Sequence, residues 1–167
     1  MAITYLTPES VHTEKLMQQA LLWHFDYRVN RCFVNVHLMA WESDMLVVSK
    51  AGYMTEVEVK TSWSDWKADA AKDKWGKLDL DRYWNLVKRF TYAVPGELYE
   101  KHGIPDNLRP EHGVLVLTPR KYGKVPYVKG VREAVVNPKA KALPPDKLQS
   151  LYNSTYFKHT TRLASGK

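Results

Sequence analysis

Residues 54–66, MTEVEVKTSWSDW, decide the fold. Val57 and Val59 alternate with Glu56, Glu58 and Lys60, as side chains do on a strand with one apolar and one polar face. Two interpretations of the charged face are open: the solvent-exposed side of a sheet, or the working end of an active site. The segments before and after Glu58-Val59-Lys60 distinguish them.

A hairpin with the preceding segment brings another acid to this face. Residues 44–49 are predicted as one strand and residues 54–60 as its antiparallel partner. Facing residues of such a pair lie on the same side of the sheet. If Asp44 faces Glu58, the numbers of facing residues add to 102 and the turn closes over three residues. Gly52 is then last in the loop, where the common three-residue hairpin needs a left-handed residue.

A helix before the hairpin carries a further carboxylate. Thr7 as N-cap and Pro8 as first helical residue predict a helix from Pro8 to Phe25. Glu14 falls inside its apolar stripe, which should face the core. A carboxylate buried there needs a partner or a metal, because burying it unpaired is costly.

Together these residues form a chemically recognisable set. Carboxylates at one place repel each other unless a cation neutralises them, and sites built from oxygen atoms suit Mg²⁺ or Mn²⁺. Such a metal lowers the pKa of a bound water and offsets charge on a phosphoryl oxygen. A nearby ammonium orients the water or stabilises the transition state. The carbonyl of Val59 offers one more oxygen ligand.

The arrangement resembles the PD-(D/E)XK nuclease superfamily. The resemblance implies that Asp44 and Glu58 bind Mg²⁺, that Lys60 assists the water, and that Glu14 is the helical acid. It also implies a restriction-endonuclease-like α/β fold, with a mixed β-sheet flanked by helices. Ser43 stands where the superfamily name has Pro, and Glu42 is a rival acid on the same strand.

A closer likeness extends further along the chain. The stretch EVEVKTSWSDWKADAAKDKW resembles bacterial MmcB-like DNA-repair proteins, in which an ExKSS-type segment leads into a DFRAD-like helix and a KW pair. The later FTYAVP and PEHGVLVL resemble that family's second strand–helix–strand. The likeness covers roughly residues 10–136.

The remaining elements complete one α/β domain over residues 1–160, with residues 161–167 as a flexible tail. The core order is helix, three strands, helix, strand, helix, strand. Beyond the hairpin we expect one strand or two short ones in 31–41, a helix capped by Ser64 and ending near Gly76, a helix over 79–88, a strand over 90–94, a helix over 95–102, a strand over 113–117, a strand pair over 125–128 and 132–136, and a last helix from Pro145 toward Lys158.

Composition is that of a folded protein without a membrane segment. The 167 residues are 44% hydrophobic and 26% charged. The single Cys32 excludes an internal disulfide and a multi-cysteine zinc site. No apolar run approaches the ~18 residues of a membrane helix. We expect a cytoplasmic protein, associated with the nucleoid or, if phage-encoded, in the host cytoplasm.

Charge is concentrated in the C-terminal third. Residues 119–167 hold 11 Lys and Arg against two acidic residues, whereas the whole chain has a net charge of +7. This favours a polyanion such as DNA as partner, although a solvated basic surface has the same composition. Phosphate contacts are expected from Lys121, Lys124 and Lys129.

Other residues near the triplet have predicted places. Thr61 and Ser62 are expected to bind a phosphate. Trp63 either packs or contacts DNA, and Trp66 is expected in the core. Two sets are predicted to be exposed: Glu56 on its strand, and the alternating acids and lysines of the following helix (Asp65, Lys67, Asp69, Lys72, Asp73 and Lys74).

The residues and the resemblance together predict a Mg²⁺- or Mn²⁺-dependent nuclease that hydrolyses DNA phosphodiester bonds. Its role would be in DNA repair, recombination or phage DNA processing, with endonucleolytic action favoured. The alternative is a non-catalytic DNA-binding or partner-binding module on the same fold. The expected partners are DNA and repair or replication proteins.

Overall fold

A computed structural model describes residues 13–38, 41–71, 85–120 and 125–164. Several expectations fall outside these ranges: the helix start at Thr7 and Pro8, most of the 79–88 helix, and both Lys121 and Lys124. The described helices and strands are α1 (Glu14–His24), β1 (Arg31–His37), β2 (Glu42–Val48), β3 (Met54–Val59), α2 (Trp63–Ala71), β4 (Val87–Pro95), α3 (Gly96–His102), β5 (Gly113–Thr118), β6 (Tyr127–Arg132) and α4 (Pro145–Ala164).

The strands form one open, mixed sheet in the order β1-β2-β3-β4-β5-β6. The first three strands are antiparallel neighbours. Strands β3, β4 and β5 run parallel, and β6 returns antiparallel to β5. The carboxyl ends of three strands therefore meet at one edge of the sheet. The chain is thus α/β with a mixed sheet. In the part of the chain that the structure describes, no helix is both long and apolar enough to cross a membrane.

Helices cover both faces of the sheet. One hydrophobic cluster joins Trp66 of α2 and Leu151 of α4 to Tyr92 of β4. The other packs Leu21 of α1 against Val57 of β3. Both faces of β3 are therefore buried, and the interpretation of its charged face as a solvent-exposed surface is wrong.

The predicted hairpin register is confirmed. Met45 faces Val57 and Val48 faces Met54, so the numbers of facing residues add to 102. Gly52 closes the loop with φ of 81°, in the left-handed region. Its N–H donates to the carbonyl of Ser49 at 2.9 Å. Loop length and strand alternation fix this register together, because a slip of one residue would exchange the two faces.

Several element boundaries differ from the prediction. Ser62, not Ser64, caps α2, since its Oγ accepts the N–H of Asp65 at 3.3 Å. Val87 begins a strand instead of lying in a helix. A single strand, β6, replaces the expected strand pair. The last helix continues past Lys158 to Ala164, into the segment predicted as a tail.

His112 is a core histidine. It is 2% exposed, and its ring lies 4.7 Å from that of Phe90 and 5.8 Å from that of Tyr92 between centroids. Burial lowers the pKa of His112 to about 4, since a charged imidazole would lose its hydration there. Folding therefore favours the neutral form of the His112 imidazole.

Replacing Gly52 tests the hairpin loop. Gly52→Ala should lower the free energy of unfolding by about 1–2 kcal/mol, because a residue with a Cβ is strained at positive φ. The new Cβ would also lie 3.1 Å from the Cβ of Ala142. Urea denaturation measures the change, with exposed Lys50→Ala of the same loop as control, expected within about 0.5 kcal/mol of wild type. Equal stability of the two variants would contradict a strained position.

The buried imidazole predicts a pH dependence. The folded pKa of His112 lies below its unfolded value, so the unfolded state binds the proton first as pH falls. Stability should fall by on the order of 2–3 kcal/mol between pH 6.5 and pH 4 from this group. Denaturation is measured across that range, and the slope of the free energy of unfolding against pH should be smaller for His112→Phe than for wild type. Exposed His159→Gln serves as control and should leave the slope unchanged.

Candidate active site

Asp44 lies against the peptide between Glu58 and Val59. Its Oδ2 accepts the backbone N–H of Val59 at 2.7 Å. Asp44 is half-buried and Glu58 is 4% exposed. The hairpin register therefore brings together the acid of β2 and the triplet of β3, as the sequence predicts.

A kink beside Asp44 shapes this part of the sheet. Phe33 and Val36 contact the same core although they are three residues apart on β1. The odd spacing is accommodated at Asn35, whose φ is 51°. The alternation of side chains is therefore reversed after Asn35, and Val36 faces the same side of the sheet as Phe33.

Lys60 is the centre of a buried charged cluster. Its Nζ donates to Oε2 of Glu58 at 3.2 Å, and the Lys60 side chain is 9% exposed. The same Nζ lies 3.7 Å from Oδ1 of Asp69 and 3.9 Å from Oδ2 of Asp65. Burial lowers the pKa of Lys60, but the three carboxylates more than offset it, and the net shift is upward. The ammonium is therefore held charged.

Asp69 belongs to this cluster, and its predicted exposure is wrong. It is 2% exposed and accepts the hydroxyl of Tyr92 at Oδ2, at 2.9 Å. Burial raises the pKa of Tyr92, and the Asp69 carboxylate raises it further, so the phenol remains a donor. Asp69 lies three residues after Trp66, on the buried face of α2. That i, i+3 spacing was the available sequence signal. Asp65 is exposed, as predicted.

Glu56 is also buried, contrary to its predicted exposure. It is 0% exposed, and its Oε1 accepts the hydroxyl of Ser43 at 2.7 Å and the indole N–H of Trp41 at 3.2 Å. Ser43 therefore binds an acid of the next strand at the position where the superfamily name has Pro.

The acid of α1 is placed differently from the prediction. Glu14 is exposed at the first residue of the helix, so its expected burial is wrong. Gln18 is the buried polar residue of α1, and its Nε2 donates to Glu14 at 2.9 Å, to Asn35 at 2.6 Å and to the carbonyl of Asp44 at 3.2 Å. Glu14 is thereby linked to the site through Gln18, and its role as a ligand stays a prediction. Gln18 was not singled out from the sequence, although it lies between the core residues Met17 and Leu21.

The rival acid of β2 lies elsewhere. Glu42 is exposed and accepts the ammonium of Lys158 at 3.0 Å. His37 lies 3.8 Å from its other oxygen. Glu42 thus pairs with α4 and β1 instead of the triplet.

Residues predicted to bind DNA fall into separate places. Trp63 packs, since its ring stacks on His102 at 4.7 Å and meets Trp66 edge-on at 5.8 Å. Thr61 is half-buried beside it, and Ser62 is exposed at the start of α2. Lys129 is exposed on β6, three strands away from β3. The structure does not bring Lys129 to the triplet.

The donor set suits a weakly coordinated hard cation. No group of three or more His, Cys, Asp or Glu residues within the described ranges is arranged to hold a metal. Mg²⁺ nevertheless needs only one or two carboxylates, because it retains several waters and binds substrate phosphate. Asp44, Glu58 and the Val59 carbonyl provide oxygen donors of this kind.

Comparisons with known proteins identify a shared fold. No protein-family model matches this chain. No curated protein has a significant match to it. The chain is similar to a solved structure from Silicibacter pomeroyi, that of a protein of unknown function, with 19% identity and a TM-score of 0.57. The match covers 95% of this chain and 90% of that chain.

The charged cluster makes a prediction for Lys60. Asp69→Asn should lower the pKa of the Lys60 ammonium, because a neutral amide no longer offsets its burial. The measurement is the pH dependence of the Lys60 side-chain carbon signal in lysine-labelled protein by NMR. Exposed Asp146→Asn is the control and should leave that pKa unchanged. An unchanged Lys60 pKa in Asp69→Asn would contradict the electrostatic role of Asp69.

Proposed function

We propose that this chain is a metal-dependent nuclease of the PD-(D/E)XK type, which hydrolyses phosphodiester bonds of DNA. The observation that carries the proposal is the contact of Asp44 with the Glu58–Val59 peptide, at 2.7 Å, immediately before Lys60. It gathers two carboxylates and an ammonium at the end of one hairpin. A sheet surface without a catalytic role would not require two carboxylates and an ammonium in one place.

The order of elements supports the same assignment. Helix α1, three antiparallel strands, helix α2 and the parallel strand β4 follow each other in the arrangement that the resemblance to the superfamily implies. A restriction-endonuclease-like fold is therefore part of the proposal. The MmcB-like segment adds a role in DNA repair, recombination or phage DNA processing, with repair or replication proteins as further partners. A cytoplasmic location follows from that role.

Asp44, Glu58 and the Val59 carbonyl would hold Mg²⁺ or Mn²⁺, and Glu14 is a further candidate through Gln18. The metal would supply a water of lowered pKa and offset negative charge on the phosphoryl group. In the proposed reaction, a water oxygen would form a bond to phosphorus while the bond from phosphorus to the sugar oxygen breaks. The water loses a proton, and the sugar oxygen takes up one and leaves as a hydroxyl group.

Lys60 is suited to orienting the water and stabilising the developing charge. Its ammonium is fixed by Glu58 and Asp69, so little reorganisation is needed when charge builds on the phosphate. The Tyr92 hydroxyl fixes Asp69 in turn. Glu58 and Asp69 therefore act on Lys60 directly, and Tyr92 acts on it through Asp69.

A non-catalytic DNA-binding or partner-binding module is the second candidate. One observation favours it: Lys60 is enclosed by three carboxylates and its side chain is 9% exposed. In a module of this kind the ammonium would serve only to neutralise buried acids. Metal binding and cleavage separate the two candidates.

Asp44→Asn is the sharpest test of the nuclease. The amide oxygen can still accept the Val59 N–H, so folding should be retained while a metal ligand is lost. Cleavage of labelled single-stranded, duplex and branched DNA with Mg²⁺ or Mn²⁺ should slow by roughly two to three orders of magnitude, a size usual for loss of an electrostatic catalytic group. Calorimetric titration should show weaker Mn²⁺ binding in this variant and in Glu58→Gln.

Glu42→Gln is the matched control, because it removes the other acid of β2 and should leave cleavage and Mn²⁺ binding near wild type. Wild-type protein that binds DNA but cleaves no substrate with either metal would favour the binding module. Lys60→Ala is a less direct test, because removing a buried cation leaves its carboxylates uncompensated and destabilises the fold. Thermal midpoints are therefore measured for every variant.

A further inference from the structure

The edge strand β1 lies in an open groove between α1 and α4, which we call the α1–α4 groove. Its first part has a volume of about 570 Å³ and its second part about 530 Å³. Leu22 lines both parts, so the two parts are adjacent along the strand. Six of its lining residues matter most for its chemistry: Arg31, Lys50, Tyr27 and Tyr152 in the first part, and Lys15 and Arg162 in the second.

Positive charge dominates the groove. The lining of its first part includes Arg31 and Lys50, both exposed, and Arg28, which also pairs with Asp26 outside the groove at 3.0 Å. Among the residues that the structure describes, no carboxylate lines this part. The lining of the second part includes Lys15 and Arg162 against a single acid, Glu14. This balance is complementary to a polyanion.

Exposed aromatic rings accompany the charges. Tyr27 is 46% exposed and Tyr152 is 43% exposed, and both line the first part. Trp23, which is 55% exposed, meets Tyr27 edge-on at 5.2 Å. Because these rings lie together, they offer one surface on which bases can stack. A basic groove with exposed rings is the arrangement that binds the backbone and stacks the bases of single-stranded nucleic acid.

The second part of the groove ends beside the candidate site. Gln18 and Asn35 line it and are joined by a hydrogen bond of 2.6 Å. Gln18 also donates to the carbonyl of Asp44 at 3.2 Å. A strand in the groove would therefore run from Lys50 toward Asp44.

We propose that the α1–α4 groove binds single-stranded DNA and leads it to Asp44. The inference rests on the proposed nuclease and assigns its substrate class. A single strand is favoured over a duplex, because only unpaired bases present free faces to Tyr27 and Tyr152. The groove does not include Lys129, which lies on β6 at the opposite edge of the sheet.

Binding in EDTA tests the groove separately from cleavage. Fluorescence anisotropy of a labelled single strand and of its duplex is measured with wild type, with Arg31→Ala/Lys50→Ala, and with Lys139→Ala/Lys141→Ala. Both double variants remove two exposed cations, but only the first pair lies in the groove. Single-strand Kd should rise tenfold or more in the groove variant and less than threefold in the control. The salt slope should flatten by about 0.7 per lost phosphate contact.

A photochemical crosslink locates the bases. A strand carrying 5-iodouracil should couple on irradiation to Tyr27 or Tyr152, as mapped by mass spectrometry of the digested complex. Tyr152→Leu keeps an apolar contact with Phe33 and should lose the crosslink at that position.

Equal weakening in the two double variants, or tighter binding of the duplex than of the single strand, would overturn the inference. Binding of neither nucleic acid would also overturn it. Groove-dependent binding of single strands without cleavage in Mg²⁺ or Mn²⁺ would contradict the nuclease alone.

Discussion

The burial of the Lys60 ammonium constrains the centre of the molecule. An isolated charge between two packed layers would cost several kcal/mol, so it requires carboxylates in good geometry. Glu58 supplies one from the same strand and Asp69 supplies another from α2. The docking of α2 on the sheet is therefore specified by charge as well as by the apolar contacts of Trp66. Tyr92 extends the same network to β4.

This network also gives the site a direction. Glu58 and Asp69 are almost fully buried, whereas Asp44 is half-buried and Asp65 is exposed. The side of the cluster that is open to solvent is therefore that of Asp44 and Asp65, and the proposed nuclease would admit substrate and water there. In the proposed nuclease the Lys60 ammonium would be in place before a phosphate binds, which is the condition for electrostatic preorganisation.

The hairpin was predictable from sequence because its constraints are local. The position of Gly52 and the alternation of Val57 with its neighbours leave one register that buries the apolar side, and Asp44 then meets the triplet. Side chains whose surroundings come from distant segments were not predictable in this way. Glu56 looks like an exposed strand residue until α2 and α4 cover that face of the sheet. Asp69 lies among lysines in the sequence, a pattern typical of an exposed helix face. Its spacing from Trp66 nevertheless places it on the buried side of the helix.

The same division applies to α1 and β6. The apolar stripe of α1 was visible, but the angle at which the helix crosses the sheet decides which polar residue reaches Asp44, and that angle depends on packing. Gln18 therefore occupies the place expected for Glu14. The single strand β6 occupies a segment predicted as two short strands. Pairing with β5 overrides the low strand propensity of Gly130.

The mixed direction of the sheet has a consequence for the order in which the molecule folds. The strands β1 to β3 form a meander whose contacts close short loops, and the Asp44–Val59 hydrogen bond spans 15 residues. Parallel pairing of β3 with β4 needs a crossover, and the Tyr92–Asp69 bond spans 23. Short loops close at a lower entropic cost, so the meander should be organised in the transition state before α2 and β4 dock. Lys60 then loses its water only in the last step of folding. Substitutions of Asp69 should therefore accelerate unfolding while leaving the refolding rate nearly unchanged, a difference that stopped-flow kinetics resolves.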